Sequence, residues 1–312
     1  MLQQTRVSTV IPYYEKFLEV YPTLEDLASA EEDQVLDLWS GMGYYGRARN
    51  LRKAAQFIRD NHDGKFPEKY SEAVRLPGIG SYSAAAVLSI AYGQPYAVLD
   101  GNVRRFLTRY LAIEEEVKGP LLKRLESLLE GIASSEYLAD SIGDFNQALM
   151  ELGAVVCVPK DPNCLDCPFS DSCRAFSLGL QRKLPRSRKR SASQEISFTV
   201  TVIGREGRFL MCRNRDEAYL KGFWEFPKVE GQRYGDELVG LLEKTHGLRV
   251  SLDRQFDPVI HHVTFRRISI YPVVATLLDG SHDVRYRWVK FGERPYPMSS
   301  YIQKVLDRVD QH

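Results

Sequence analysis

The chain has 312 residues, of which 44% are hydrophobic, and its formal net charge at pH 7 is +1. This length exceeds one comfortable hydrophobic core and indicates two domains. No apolar run is long enough to cross a membrane as a helix, and the near-neutral charge neither supports nor excludes nucleic acid as a partner.

Apolar residues recur at helical spacing through the first half, which predicts an all-α region. The predicted helices lie around residues 10–18, 35–39, 83–92, 121–129 and 142–156. Pro12 is expected to kink or break the first of them, because proline removes a backbone donor. Gly93 follows the third segment, where a left-handed C-cap is expected.

A tight turn of sequence LPGIG, residues 76–80, precedes the small-residue helix. Its backbone N–H groups and the helix N-terminus can hold a phosphate, although an ordinary helix–helix turn explains the pattern equally well. Asp100 follows an apolar segment and precedes another predicted helix. Its position predicts an N-cap, and the alternative is a fixed carboxylate at the mouth of a cleft.

Four cysteines stand in the order C-x6-C-x2-C-x5-C within 17 positions: Cys157, Cys164, Cys167 and Cys173. Four thiolates are suitable ligands for a tetrahedral zinc ion or for a [4Fe–4S] cluster. Zinc sites usually pair two short knuckles, and only one is present, so the spacing favours the cluster and leaves zinc as the alternative. Disulfides are disfavoured because the chain shows no signal-peptide pattern.

The composition changes after a basic stretch, residues 181–190, which carries six Lys and Arg and no acid. We interpret it as a solvated linker. Strand patterns follow at 196–203, 209–213, 259–265 and 268–275, with a helix at 237–245, so the second half is predicted to be α+β. Cys212 lies in one of these strands and is expected to be a small buried hydrophobe.

Several of these motifs together resemble one family. The run 1–7 (MLQQTRV), segment 41–49 (GMGYYGRAR) and segment 99–103 (LDGNV), with the hairpin and the cysteine loop, are similar to the MutY-type adenine glycosylases of the helix-hairpin-helix DNA glycosylase superfamily. The resemblance spans almost the whole chain. It implies an all-α helix-hairpin-helix domain at 1–180 with a [4Fe–4S] loop at 157–173, a linker at 181–194, and an α+β Nudix-like domain at 195–312.

The resemblance also implies an activity, the hydrolysis of the N-glycosidic bond of adenine mispaired with 8-oxoguanine or guanine in base-excision repair. Asp100 matches the carboxylate that stabilises the oxocarbenium-like sugar, and Asn102 matches its hydrogen-bonding neighbour. Tyr82 occupies the place of the Schiff-base lysine of strand-cutting relatives, which implies a monofunctional glycosylase.

The remaining assignments concern DNA and the extruded base. Gln4 and Tyr44 match wedge residues that fill the gap left by the adenine. Leu2, Val7 and Gln147 match positions lining the adenine pocket; without the resemblance they are core or surface residues. The expected DNA contacts are Thr5, Leu76, Gly78, Gly80, Arg104 and Lys160, with Arg47, Arg49 and Arg105 as further candidates for phosphate.

One family residue has no counterpart. The general acid is a glutamate in a Ser-Glu-Val tripeptide directly before the Met-Leu-Gln-Gln run, and here that run begins at Met1. We expect the family's first helix and this acid to lie upstream of an internal methionine; a shortened paralogue is the alternative. Without the acid, adenine release is expected to slow by about 10²–10⁴-fold.

The C-terminal domain is implied to check the base opposite adenine. Segment 223–227 (FWEFP) is of the kind found there, and segment 231–247 lacks the paired glutamates that magnesium-dependent diphosphate hydrolysis needs. The lesion-reading tip, often Phe-Ser-His in the family, aligns with Val263, Thr264 and Phe265. Thr264 keeps a hydroxyl and Phe265 replaces an imidazole, so lesion preference is expected to differ; a plain β-hairpin is the alternative.

The expected partner is double-stranded DNA with adenine opposite 8-oxoguanine or guanine. We expect a cytoplasmic monomer, associated with the nucleoid in a bacterium, and no membrane. The implied role of the cluster is to shape the loop that presents Lys160 to phosphates. Two other classes stay open: a catalytically inactive DNA-lesion binder, and a zinc-stapled DNA-binding protein outside repair.

Overall fold

A computed structural model describes residues 1–186, 194–214, 222–263, 266–280, 285–290 and 297–310. Contacts divide the chain into two compact units, one formed by 1–56 with 191–312 and the other by 57–190. The boundary near 190 falls within the predicted linker. The predicted grouping of residues 1–56 with the cysteine loop stays a prediction.

The N-terminal part of the first unit is helical: α1 is Val7–Val20, α2 Leu24–Ser29, α3 Glu32–Leu38 and α4 Gly46–Asn61. The helix α1 continues through Pro12, so a break at this residue is wrong, whereas a kink stays a prediction. Proline has no N–H to donate to the Ser8 carbonyl, but Ser8 is exposed in the first turn, so water can donate to this carbonyl instead. Val10 and Phe17 of α1 are buried, whereas Val7, Ile11 and Tyr14 are at least half exposed.

The second unit contains α5 Tyr70–Ala73, α6 Ser81–Tyr92, α7 Gly101–Tyr110, α8 Gly119–Ala133, α9 Ile142–Glu151 and α10 Arg174–Ser177, with a π-helical turn at Leu152–Val156. Gly93 closes α6 at φ 64°, as the sequence predicts. Ala84, Ala85 and Leu88 of α6 are buried, which permits close packing against α5 and α9.

The rest of the first unit is a sheet with two helices. Its strands are β1 Gln194–Arg205, β2 Arg208–Arg213, β3 Trp224–Glu225, β4 Lys228–Glu230, β5 Arg249–Gln255, β6 Val259–Val263, β7 Arg266–Asp279 and β8 Tyr286–Lys290, and its helices are α11 Gly235–His246 and α12 Ser300–Asp310. The central strand β1 pairs in parallel with β7 from Gln194↔Arg266 to Ile203↔Ala275. The other described ladders are antiparallel, with β4 on β1, β5 and β6 on β7, and β8 and β3 on β2.

Within the first unit, one aromatic residue of the C-terminal part is packed into the core of the N-terminal helices. Phe223 is fully buried among α1, α3 and α4 residues, and its ring centroid lies 4.2 Å from that of Tyr45. The Ser40 hydroxyl donates to the Met298 carbonyl at 2.9 Å. These contacts attach the sheet to the loop that precedes α4.

Two side chains of the C-terminal part, Cys212 and His246, have shifted pKa values. Cys212 is 8% exposed, and burial raises the pKa of its thiol to about 12, as expected for a residue that acts as a hydrophobe. His246 ends α11 with its ring nitrogens 3.0 Å from the Tyr286 hydroxyl and 2.8 Å from the Lys228 carbonyl oxygen. Burial lowers the pKa of His246.

The predicted fold class, an all-α region followed by an α+β region, is confirmed. Across the part of the chain that the structure describes, no helix is long and apolar enough to cross a membrane. Thr264 and Phe265 of the predicted lesion-reading tip lie outside the described residues.

Candidate active site and metal centre

Asp100 is the N-cap of α7 and is only partly exposed. One of its carboxylate oxygens accepts the Val103 backbone N–H at 2.6 Å, and the other accepts from the Asn102 side-chain amide at 3.1 Å. The N-cap interpretation is therefore right, and both oxygens are held in place. A carboxylate fixed in this way can stabilise a cation that approaches from the open side.

The segment that leads into Asp100 is held by a buried asparagine that sequence reasoning missed. Asn146 of α9 is 1% exposed; its amide oxygen accepts from the Val98 N–H at 3.1 Å, and its amide nitrogen donates to the Ser89 hydroxyl and the Tyr96 carbonyl. The one sequence signal was an asparagine on the apolar face of a predicted helix. Its hydrogen bonds fix the approach of the chain to Asp100.

Tyr82 lies in the first turn of α6 and is 37% exposed. Its hydroxyl donates to the Met150 sulfur at 3.7 Å. Burial and the nearby charge of Asp100 raise the pKa of the phenol. The structure thus brings a protonated hydroxyl into the electrostatic neighbourhood of the Asp100 carboxylate.

The predicted hairpin joins α5 to α6. Gly78 has φ 73°, and the Ile79 N–H donates to the Leu76 carbonyl at 3.0 Å. Gly80 is the N-cap of α6 and provides no side-chain cap, and a Cβ there would meet no atom within 4 Å. Backbone N–H groups at this helix N-terminus can donate hydrogen bonds to an anion. Leu76 is 2% exposed, so its side chain belongs to the core and only its backbone could serve DNA.

The four cysteines are free thiols that line one partly open pocket. Burial, and then the neighbouring cysteines, raise the pKa of Cys164, whereas burial is the largest cause of the raised pKa of Cys167. Among the residues that the structure describes, no three His, Cys, Asp or Glu side chains are grouped as a site for a single metal ion. Four thiol sulfurs around one pocket do match the ligand set of a cluster of several metal ions.

Two arginines of α7 connect the cysteine loop with the helix N-terminus. Arg105 donates to the Asn102 side-chain oxygen at 2.9 Å and to the Cys157 carbonyl at 2.8 Å. Arg109 is 2% exposed and donates to the Cys157 sulfur at 3.3 Å and to the Val158 carbonyl at 2.8 Å. The expectation that Arg105 contacts phosphate stays a prediction; in this structure its guanidinium is bonded to protein. Arg109, a cation on the apolar face of a helix, was missed.

The N-terminal run and the Gly41–Tyr45 loop belong to the first unit. Gln4 and Tyr44 are exposed and adopt left-handed backbone conformations, with φ values of 58° and 51°. Arg47 donates to the Thr5 hydroxyl at 3.0 Å and to the Gly43 carbonyl at 3.2 Å. The structure therefore brings the two predicted wedge residues onto loops that share one arginine.

The other predicted site residues are exposed. Leu2 and Val7, both 60% exposed, lie in the first unit, whereas Gln147 lies in the second and donates to the Gly143 carbonyl at 3.2 Å. Arg104 on α7 and Lys160 in the cysteine loop are also exposed. These positions are compatible with contacts to a ligand.

Comparisons with known proteins give a consistent result. Residues 1–131 match the family model described as HhH-GPD superfamily base excision DNA repair protein. The chain is 36% identical over 316 residues to the adenine DNA glycosylase of Buchnera aphidicola from Acyrthosiphon pisum, covering 98% of this chain and 87% of that protein. It is 34% identical over 369 residues to the human adenine DNA glycosylase, covering 100% of this chain and 66% of that protein.

Among solved structures, the crystal structure of a MutT Nudix hydrolase from Burkholderia pseudomallei matches 37% of this chain and 98% of that chain. Its TM-score is 0.33 and its sequence identity 16%.

Proposed function

The chain belongs to the adenine DNA glycosylases of the HhH-GPD superfamily, and from that premise we propose that it removes adenine opposite 8-oxoguanine or guanine in double-stranded DNA. The observation that carries the proposal is the Asp100 carboxylate, held by two hydrogen bonds at the N-terminus of α7. The activity would initiate base-excision repair by leaving an abasic site.

The reaction requires the adenine to leave the duplex, because its glycosidic bond is inaccessible within the stack. Cleavage of the bond between C1′ and the base nitrogen leaves its electron pair on adenine and positive charge on the sugar. Asp100 stabilises that charge, and the Asn102 amide and the Val103 N–H prevent the carboxylate from turning away. Water then adds to C1′ and gives up a proton, and the departing adenine takes up a proton, so the products are an abasic site and neutral adenine.

Tyr82 supports hydrolysis without strand cleavage. A bifunctional glycosylase needs an amine that forms a Schiff base with the sugar, and a phenol with a raised pKa supplies no such nucleophile. The Tyr82 hydroxyl is instead suited to donate a hydrogen bond near Asp100. We therefore propose a monofunctional enzyme; on the family resemblance, Leu2, Val7 and Gln147 remain proposed contacts of the adenine.

The four cysteines are proposed to hold a [4Fe–4S] cluster. The residues fit that group, since four soft donors line one pocket and Arg109 donates a hydrogen bond to a ligand sulfur, as partners of thiolate ligands commonly do. When bound, the cluster supplies a structural staple. The alternative, zinc, is tested by composition: about four irons and four sulfides per chain support the cluster, and one zinc ion contradicts it.

DNA binding is proposed to use the hairpin amides at Gly78 and Gly80 and the exposed side chains of Arg104 and Lys160. Backbone N–H groups and cations of this kind position the duplex without reading its sequence. Reading of the opposite base is assigned to the Nudix-like C-terminal domain, with Thr264 as the proposed contact. Phe223 of this domain contacts Tyr45 of the Gly41–Tyr45 loop, and the Met298 carbonyl accepts from the hydroxyl of the preceding Ser40.

The test is single-turnover release of adenine by the 312-residue chain from a duplex with adenine opposite 8-oxoguanine, with guanine and thymine opposite adenine as comparisons. Release that is faster opposite 8-oxoguanine than opposite thymine supports the proposal. Tight binding without release, also after Ser-Glu-Val is added before Met1, would identify a lesion binder and contradict the enzymatic assignment. Failure to prefer the lesion duplex in binding would refute both.

A further inference from the structure

Arg47, in the first turn of α4, contacts two loops that are distant in sequence. Its guanidinium donates to the carbonyl oxygens of Met1, at 2.7 Å, and of Gln3, and to the hydroxyl of Thr5. On the other side it donates to the Gly43 carbonyl at 3.2 Å. One side chain thus joins the N-terminal run, residues 1–5, to the Gly41–Tyr45 loop.

Aromatic rings surround the same guanidinium. Its central carbon lies 5.5 Å from the centroid of the Trp39 ring and 5.3 Å from that of Tyr44, within the range of cation–π attraction. The Trp39 indole donates to the same Gly43 carbonyl at 3.1 Å. Arg47 is therefore a partly buried member of a packed group, which differs from the phosphate contact that the sequence suggested.

Both loops hold a residue in a costly backbone conformation. Gln4 and Tyr44 have left-handed φ values, and such conformations of non-glycine residues persist only when the surroundings impose them. Neither side chain is anchored by burial, because both are exposed. Arg47 bonds to the Gln3 carbonyl and the Thr5 hydroxyl on either side of Gln4, and to the Gly43 carbonyl next to Tyr44. Backbone hydrogen bonds restrain each loop separately, from the Thr5 N–H to the Leu2 carbonyl and from the Arg47 N–H to the Tyr44 carbonyl, whereas the Arg47 side chain restrains both loops together.

We propose that Arg47 is a positioning residue that holds Gln4 and Tyr44 as one rigid wedge for extrusion of a base. This inference rests on the proposed function for the act of extrusion, whereas the mechanical coupling of the two loops does not depend on it. A planar five-donor guanidinium can reach both loops at once, and a lysine ammonium cannot. Both Arg47→Lys and Arg47→Gln are therefore expected to uncouple them.

The matched control is Arg52→Gln. Arg52 lies on the same helix, α4, and donates to the Ala30 carbonyl of another loop, so it provides a similar structural hydrogen bond without touching either wedge loop. Base extrusion is followed as the fluorescence of 2-aminopurine placed opposite 8-oxoguanine, a readout that requires no bond cleavage. Arg47→Gln is expected to lower the extruded fraction about tenfold, the loss of a charge-assisted bond, and Arg52→Gln to leave it unchanged.

A double-mutant cycle separates positioning from a general loss of stability. In a Gln4→Ala/Tyr44→Ala background, Arg47→Gln is expected to have no further effect on extrusion, because its targets are gone. An effect of the same size in both backgrounds would overturn the proposal. Rescue of extrusion by Arg47→Lys would also contradict it, since a point charge would then be sufficient.

Hydrogen exchange on the DNA-free protein tests the coupling independently. Arg47→Gln is expected to accelerate amide exchange in segments 2–5 and 41–45 together, and Arg52→Gln in neither. Acceleration of only one segment, or of none, would refute the coupling. If the wild-type chain extrudes no base but both segments respond together, the proposed function fails and the coupling stands.

Discussion

Replacement of Gly153 by alanine tests whether the π-helical turn Leu152–Val156 holds Asn102, and through it Asp100, in place. A Cβ at Gly153 would lie 2.6 Å from the Asn102 Cβ and 2.9 Å from the Asn102 carbonyl carbon and oxygen. Carbon atoms pack at about 3.5–4.0 Å, so the turn and α7 would have to separate by about 1 Å. The obstructing atoms include backbone, which cannot rotate away.

Two consequences are expected from Gly153→Ala. Overpacking of this kind costs about 1–3 kcal/mol, measured as a lower free energy of unfolding in urea. A displacement of about 1 Å at a positioned catalytic group can cost about 100-fold in rate, measured as single-turnover adenine release. The rate is expected to fall because the same displacement would move Asn102, whose amide holds one Asp100 oxygen.

Gly131→Ala is the control for this experiment. Gly131 lies within α8, and a Cβ there would meet no atom within 4 Å. The same chemical change should therefore stabilise the protein by about 0.4–1 kcal/mol and leave adenine release unchanged. Wild-type stability in Gly153→Ala would show that the close approach is not real, and a wild-type rate in a destabilised Gly153→Ala would refute the link to Asp100.

Three further outcomes are expected. Asp100→Asn should keep the N-cap and the stability but slow adenine release by about 10²–10³-fold, measured in single turnover; an unchanged rate would remove Asp100 from the mechanism. Burial lowers the pKa of His246, so below about pH 6.5 the unfolded chain binds a proton that the folded chain does not, and the free energy of unfolding falls as the pH decreases. His246→Gln should flatten this pH dependence of the free energy of unfolding in urea. An unaltered slope would show that His246 is not its cause. Phe223→Ala should lower the free energy of unfolding by about 3–5 kcal/mol, whereas Phe57→Ala, at a site 38% exposed, should cost far less; equal losses would argue against the burial of Phe223.

Local patterns predicted the elements well because their causes are local. Helical periodicity located α3, α6 and α11, Gly93 terminated α6 as expected, and alternation located β1 and β7. The break at Pro12 was wrong because the sequence cannot tell whether the carbonyl that loses its donor can reach water. Asp100 was predicted as a cap from its immediate neighbours alone.

The contacts that organise the candidate site are not visible in such patterns. Asn146 bonds to Val98 across 48 positions, and Arg47 bonds to Met1 across 46. Phe223 follows a strand-like segment, yet its ring packs among helices that precede it by more than half the chain. A side chain's partner in another element depends on the assembled fold, so the sequence marked these residues only as polar or aromatic.

Arginine provides the common physical device in these loops. Residues 1–5, 41–45 and 157–159 have irregular backbone, so their carbonyls lack the partners that helices and sheets supply. Arg47 and Arg109 each present a planar set of donors that bonds several such carbonyls at once. A guanidinium that is bonded to carbonyls in this way has fewer N–H donors left for phosphate. Under the proposed function, we therefore expect the affinity for DNA to depend on exposed cations such as Arg104 and Lys160 and on backbone amides.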